Sequence, residues 1–256
     1  MSSTPSNLDI LAIAAHRDDV EQTCGGTLLK AAQRGQRTGI LDLTQGEMGT
    51  RGSAEDRGRE AADAAQILGA GWRRALDIPD GRVENTWENR LKVVRVLREQ
   101  RPRVLILPYW QGRHPDHYTA STLGYEASFL AGLAKLDTAS NSELSVLADP
   151  KANSSAPHRP FKIIYASLYY DVRPTFVVDI TEQFETRLAS LMAYKSQFTD
   201  QEAGSGIFPA HHEIRTRVEA MARHYGMMAG VTYGEPFVQK EVGLVDDVMA
   251  IPVKSI

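Results

Sequence analysis

Two short stretches concentrate side chains that can bind a metal ion and move protons. His16-Arg17-Asp18-Asp19 follows one apolar run, and Arg113-His114-Pro115-Asp116-His117 follows another. His16, Asp19 and His117 suit a catalytic divalent cation, because such sites take three nitrogen and oxygen ligands from the protein and leave a position open for water. Water held there ionises near neutral pH and becomes a nucleophile. Asp18 and Asp19 are adjacent, so they can point to different sides of the loop, one binding metal while the other takes a proton from the water. His114 stands three residues before His117 and can reach the same pocket without ligating. Asp116 could hold one nitrogen of His114 and keep the ring cationic, since a nearby carboxylate raises a histidine pKa. A cationic His114 would stabilise an oxyanion and then protonate a leaving amine.

Each stretch alone has a plainer explanation. Strand-end aspartates often cap the next helix, and His-Pro-Asp-His reads as a capped turn. Chemistry is favoured by their joint placement after two parallel strands, where the loops of an open α/β sheet gather function. Cys24 reads as a small packed residue rather than a ligand. Gly25-Gly26 hints at phosphate binding. Its spacing is not that of a dinucleotide fingerprint, however, and no acidic residue is expected to end the second strand in the required way.

The elements that must position these groups alternate. Leu8–Ala15 is a continuous apolar run, the mark of a strand covered on both faces. A helix follows, ending near Gly35. Arg37–Thr44 predicts a second buried strand, Gln45–Ser53 a glycine-rich loop, and Ala54–Leu68 a helix that Gly69 stops. Ala75–Pro79 predicts a short third strand, Trp87–Arg101 an amphipathic helix and Arg103–Pro108 a fourth strand. The loop carrying His114 and His117 comes next, and then a helix from Tyr118 to Leu133. Fourfold alternation implies right-handed crossovers and a Rossmann-like, mostly parallel sheet with helices on both faces, its site at the carboxyl ends of strands 1 and 4. Thr138–Pro160 reads as a long surface connection. Two strands follow (FKIIYASLYY and PTFVVDI), then a helix over Ile180–Phe198, a loop (QEAGSGIFPAHH) and a helix over Arg215–Tyr225. The expectation is one domain over residues 1–256, with a C-terminal strand and helix extension from about residue 161. The closing VDDVMAIPV is apolar for a tail and suited to packing on a neighbouring subunit.

Length and composition bound these readings. A chain of 256 residues buries a sizeable core, and a net charge of -3 leaves no basic footprint for nucleic acid or an anionic membrane. No apolar run approaches the roughly 20 residues of a membrane span. MSSTPSN lacks the basic start of a signal peptide. One cysteine excludes a disulfide framework and a cysteine-rich zinc site, and a reducing cytoplasm is the simplest setting.

AHRDD, with Glu21 two residues on, and RHPDH together resemble the paired signatures of the PIG-L/LmbE-like zinc N-deacetylases. GEMGTRGSAEDRGREAADAAQILG, the IPDG turn, RPRVLILP, ASFLAGL, YKSQF and ARHYGMMAGVTYGEPF resemble the bacillithiol-making branch, which removes acetate from N-acetylglucosaminyl-malate. The likeness runs from Leu8 to about Phe237. It implies Zn2+ held by His16, Asp19 and His117, although imidazole and carboxylate also suit Fe2+ and Mn2+. It implies Asp18 as general base, and His114, oriented by Asp116, as the group that stabilises the intermediate and assists the amine. It implies that Arg57 lines the pocket, that the partner is a small amino-sugar conjugate, and that the chain forms a homo-oligomer, a hexamer or a smaller ring. From the residues themselves, Arg51 and Arg113 are candidates for the malate carboxylates, since guanidinium binds carboxylate bidentately. Glu21 reads as support for the loop or the helix start.

Two positions depart from the family. Arg17 stands where proline or alanine is usual; pointing inward, it could bind an acidic group. His211 and His212 stand in the loop after YKSQF where relatives often have tyrosine. The leading expectation is a metal-dependent hydrolase that removes an N-acetyl group from an anionic amino-sugar conjugate. Neighbouring readings are a deacetylase of other N-acetylglucosamine derivatives and a thiol-conjugate amidase. A metal-binding protein without catalysis is the alternative from another class, and Asp18 argues against it. A nucleotide-binding protein would need a phosphate loop that the sequence does not offer.

Overall fold

The computed structural model describes residues 7–138, 156–168, 170–198 and 211–253. Strand β1 (Ile10–Ala14) is central. It pairs in parallel with β2 (Thr38–Asp42) on one side and β4 (Val104–Pro108) on the other. β3 (Trp72–Ala75) continues the parallel sheet beyond β2, and β5 (Lys162–Ala166) continues it beyond β4. β7 (Gly234–Val238) runs antiparallel to both β5 and β6 (Phe176–Asp179), giving the order β3-β2-β1-β4-β5-β7-β6. The mostly parallel α/β expectation holds. Because β1 lies between β2 and β4, the chain leaves it toward one side of the sheet and later returns on the other. The carboxyl ends of β1 and β4 therefore border the crevice at the switch point.

Alternate residues of β1 serve opposite faces. Leu11 and Ile13 pack with Val93, Val94 and Leu97 of α4 (Trp87–Gln100) and Leu123 of α5 (Pro115–Ala131). Ala12 and Ala14 face Leu28 of α2 (Gly25–Gln33) and Leu68 of α3 (Ala54–Leu68). The bounds of α3 fall where expected because local chemistry sets both ends. Ser53 and Asp56 form a reciprocal capping box, and Gly69 turns out of the helix at φ 66°.

Other bounds differ from expectation. β3 is Trp72–Ala75, so the IPDG turn is loop rather than strand end. Helix α5 starts at Pro115, three residues early, because His114 caps it and proline is favoured in a first turn. The helix expected over Ile180–Phe198 is two, α6 (Phe184–Met192) and α7 (Lys195–Phe198). Helix α8 spans His211–Ala229, and β7 was not foreseen. The connection read over Thr138–Pro160 and the loop before α8 lie largely outside the described residues. Among the described residues no helix is long and apolar enough to cross a membrane.

The Gly25-Gly26 pair and β7 explain each other. The first N–H groups of α2 need an acceptor, and an anion is favoured there. Glu235, buried on β7, supplies it: Oε1 accepts from Gly26 N–H at 2.8 Å and Oε2 from Thr27 N–H at 2.7 Å. Arg187 of α6 pairs with Oε1 at 3.1 Å. A Cβ at Gly26 would stand only 2.9 Å from that oxygen, so glycine lets the carboxylate in. The position a phosphate would take is thus filled by the protein itself. Asp42 does end β2, contrary to expectation, but Arg73 engages both its oxygens at 2.9 and 3.0 Å. That carboxylate is spoken for and cannot serve a ribose.

Glu235→Ala is expected to cost about 3–5 kcal/mol, because it leaves the buried Arg187 charge without its carboxylate. Glu235→Gln, which keeps an acceptor for the helix, should cost clearly less. Urea midpoints for the two variants check this, and equal midpoints would contradict it.

Candidate metal centre and active site

After β1 the chain turns through His16–Asp19 into the short helix α1 (Asp19–Thr23). Asp18 takes φ 101°. A non-glycine residue in this region stores about 1–3 kcal/mol of strain, and aspartate is among those that tolerate it. The turn sends the two neighbouring carboxylates apart. Asp19 folds back to accept the His16 N–H at 2.9 Å and faces the His16 and His117 rings. Asp18 faces the other way, accepting from Arg57 Nη2 at 3.3 Å and Gln22 Nε2 at 3.2 Å. At the second stretch, His114 is the N-cap of α5 and His117 stands in its first turn. That one-turn spacing stacks their rings 5.1 Å apart.

Three donor groups converge. His16 Nδ1 lies 3.2 Å from His117 Nε2 and 3.5 Å from Asp19 Oδ2, and His117 Nε2 lies 3.3 Å from Asp19 Oδ1. A tetrahedral shell with bonds of about 2.0–2.1 Å has edges of about 3.3–3.4 Å, close to these separations, with the two Asp19 oxygens divided between the two rings. The other His16 nitrogen, Nε2, faces Asp80 Oδ1 at 3.1 Å and Asp116 Oδ2 at 3.2 Å. Asp116 is itself anchored by the N–H groups of Gly81 and Val83, and Asp80 by that of Met48. Among the described residues, His16–His114–His117 and His16–Asp80–Asp116 are both groups that could take a cation. His16 belongs to each. A ligating histidine commonly donates its second ring N–H to a carboxylate, which fixes its tautomer and orientation. A cation on the Nδ1 side with the two aspartates behind Nε2 satisfies both nitrogens.

Electrostatics follow from this crowding. Burial disfavours charge on His16, but hydrogen bonds to Asp116, Asp19 and Asp80 outweigh it and push the imidazole up to about 12. Burial pushes the Asp18 carboxyl up to about 7, against the pull of the Arg57 guanidinium. Burial, with His16 and His117 nearby, lowers His114.

His16, Asp19, His114, Asp116 and His117 meet at the ends of β1 and β4, with Asp18 beside them. Several expected roles change. Asp116 does not hold His114: its carboxylate lies on His16, and only its backbone N–H reaches His114, donating to Nδ1 at 3.2 Å. His114 is accordingly disposed to be neutral rather than cationic, with its proton on Nε2. Arg57 is buried. It donates to the carbonyls of Arg17 and Gly46 as well as to Asp18. Arg17 points away from the donor set, across Gly58 of α3 to the Ala54 carbonyl at 2.6 Å. Arg51 is buried, donating to the Gln197 carbonyl at 3.1 Å. Arg113 is exposed beside His114. Glu21 is fully buried and pairs with Arg73 at 2.6 Å beneath the loop. Sequence reasoning missed Asp80. Its place in a loop after a neighbouring parallel strand was the available signal.

The fold and site define an α/β protein whose switch-point histidines and aspartates can hold a divalent cation. Residues 11–128 match the PIG-L family, described as GlcNAc-PI de-N-acetylase. A diacetylchitobiose deacetylase from Thermococcus kodakarensis is 31% identical over 238 residues, covering 88% of this chain and 80% of the relative. The crystal structure of the conserved protein TT1542 from Thermus thermophilus is 38% identical with a TM-score of 0.78, covering 93% of this chain and 98% of that one. An N,N'-diacetylchitobiose deacetylase from Pyrococcus horikoshii is 27% identical with a TM-score of 0.73, covering 89% and 82%. The chain belongs to the PIG-L family.

Asp80→Ala is expected to weaken divalent-cation binding by about 10–100-fold, the usual effect of losing a carboxylate behind a ligating histidine. Competition with a chromophoric chelator measures this. An unchanged affinity would remove Asp80 from the site's support.

Proposed function

We propose that this chain hydrolyses the N-acetyl amide of an N-acetylglucosamine conjugate, with N-acetylglucosaminyl-malate of bacillithiol biosynthesis as its substrate. The observation that carries this reading is the divergence of two adjacent carboxylates. Asp19 joins His16 and His117 at ligand spacing, while Asp18 stays outside the shell with its carboxyl raised to about 7. A site that only stored metal would have no use for such a base. His16, Asp19 and His117 would hold Zn2+, or Fe2+ or Mn2+, and the bound cation would supply Lewis acidity for an attacking water and for the amide carbonyl. Asp18, oriented by Arg57 and Gln22, takes the proton of the attacking water; a base works best with a pKa near the operating pH. His114 donates from Nε2 to the oxyanion, its Nδ1 being occupied by the Asp116 N–H. Asp18 then passes its proton to the amine nitrogen as the C–N bond breaks, and acetate and the free amine leave.

Support for the malate conjugate comes from the resembling segments and from Arg113, the one of the four candidate arginines that is exposed at the site. The engagement of Arg17, Arg51 and Arg57 by groups of the protein itself weakens it. Diacetylchitobiose is the second reading, favoured by the names of two relatives. We further read residues 1–256 as one domain acting on a small molecule in the cytoplasm. The extension from about residue 161 adds β5, β6 and β7 to a continuous sheet.

The test is amine release from both substrates by metal-loaded protein. Asp18→Asn should lower kcat by about 10²–10⁴-fold with metal content unchanged. Release from neither substrate would sink the substrate reading, and full activity in the variant would remove Asp18 as base. The pH profile adds a sign. Asp18 serves as base only when ionised, so kcat/KM falls as pH drops through its pKa. Arg57 holds that pKa down, so Arg57→Met should move the acid limb to higher pH while Arg57→Lys leaves it nearer the wild type. A limb unmoved by either change would belong to another group.

A further inference from the structure

A small cavity lies beside the donor set, at the carboxyl ends of β1, β4 and β5. Asp19 and His117 form part of its lining, and most of the rest is apolar. Ala14, Val20, Cys24, Ile106 and Ala166 belong to one buried cluster and make a floor that offers no carboxylate, amide or hydroxyl side chain. Alanine at the ends of β1 and β5 leaves space that a branched side chain would fill. That space is about 20 Å³. A single water needs about 10–15 Å³ on the same measure, so the floor has room for a group the size of one methyl.

A second cavity of about 40 Å³ adjoins the first, and Thr23 and Leu168 line both. Val218, Met221, Ala222 and Pro236 give the second cavity its apolar walls. Its charged neighbours are engaged with protein groups. Arg187 pairs with Glu235 at 3.1 Å, and Arg217 with Glu213 at 3.0 Å. The Tyr225 hydroxyl accepts from the Val172 N–H at 3.3 Å, and the Ser167 hydroxyl donates to the Tyr170 carbonyl at 2.7 Å. A hydrocarbon chain could therefore enter without stranding a charge. Two side chains part the cavities. Thr23 is tied within α1, its hydroxyl donating to the Asp19 carbonyl at 2.8 Å. Leu168 is half-buried in the loop after β5 and is held there by packing alone.

We propose that the first cavity is the acyl subsite of this site's amide hydrolysis, and that Leu168 is the wall that limits the acyl group to acetyl. The inference rests on the N-acyl hydrolysis reading and assigns its specificity to named residues. An amide whose carbonyl is held at the donor set lays its methyl on the floor of Ala14, Ile106 and Ala166. A longer acyl chain runs into Leu168. One methylene too many in an apolar pocket is discriminated by about 10–200-fold. Shortening Leu168 joins the two cavities and gives the longer chain a place among Val218, Met221 and Ala222.

Binding and turnover along one acyl series test this. Titration calorimetry measures acetohydroxamate, propionohydroxamate and butyrohydroxamate on zinc-loaded wild type, Leu168→Ala and Leu168→Met, with thermal melting to show that each is folded. Amine release is then measured from the N-acetyl and N-butyryl forms of one glucosamine conjugate. Wild type and Leu168→Met are expected to favour acetohydroxamate over butyrohydroxamate by about 10-fold or more. Leu168→Ala should shrink that preference by about 10-fold or more, while its affinity for acetohydroxamate stays within a few-fold of wild type. Equal affinities along the series in wild type overturn the subsite. A folded Leu168→Ala that keeps the wild-type preference overturns Leu168 as its wall. Length discrimination in binding with no amine released from either conjugate leaves the subsite standing and sinks the hydrolysis reading. Amine release with no discrimination does the reverse.

Discussion

The site depends on a single imidazole held from both sides. His16 stands where β1 ends, with Nδ1 toward Asp19 and His117 and Nε2 toward Asp80 and Asp116. Its two nitrogens thus join the donor set to the carboxylates behind it. If the ring rotated, the donor set would lose its spacing and two buried carboxylates would lose their imidazole partner. The backbone enforces the pose. Amides of residues 81 and 83 hold Asp116, and the Met48 amide holds Asp80, so loops after β2 and β3 reach across to brace a residue just past β1. A parallel sheet suits this, because neighbouring strands deliver their loops to one edge.

The ground beneath the site is unusually ionic for an interior. Arg73 spans Asp42 and Glu21, and Arg187 spans Glu235 and the Glu21 carbonyl. Buried ion pairs are poor sources of net stability, because desolvation offsets their attraction. Their value here is positional. Each links a loop or helix start to a different strand, and removing one partner would strand the other. Glu235 also takes the anion position at the start of α2, which turns a fold known for phosphate crevices toward another use of the same edge.

Arg57 shows how charge and strain are combined. Its guanidinium joins the Arg17 carbonyl to the Asp18 carboxylate, and so clamps a residue held at positive φ. The peptide that separates Asp18 from Asp19 is thereby kept in the one conformation that aims them apart. The arginine between His16 and Asp18 does not disturb this, because its side chain lies across a glycine of α3.

What could be read from the chain alone was local. Apolar runs announced β1, β2 and β4, a capping box and a glycine bounded α3, and residue type singled out His16, Asp18, Asp19, His114, Asp116 and His117. Strands buried on both faces and helices with paired caps carry their own signature, since burial period and terminal hydrogen bonds involve neighbours in sequence. Partner choice among charged groups has no such signature. That Asp116 serves His16 rather than His114, that Asp80 joins it, and that three of four arginines are engaged by backbone carbonyls were decided by which loops the strand order brings together. Those contacts join residues far apart along the chain. No periodicity encodes them; only the packed sheet sets which carboxylate meets which nitrogen.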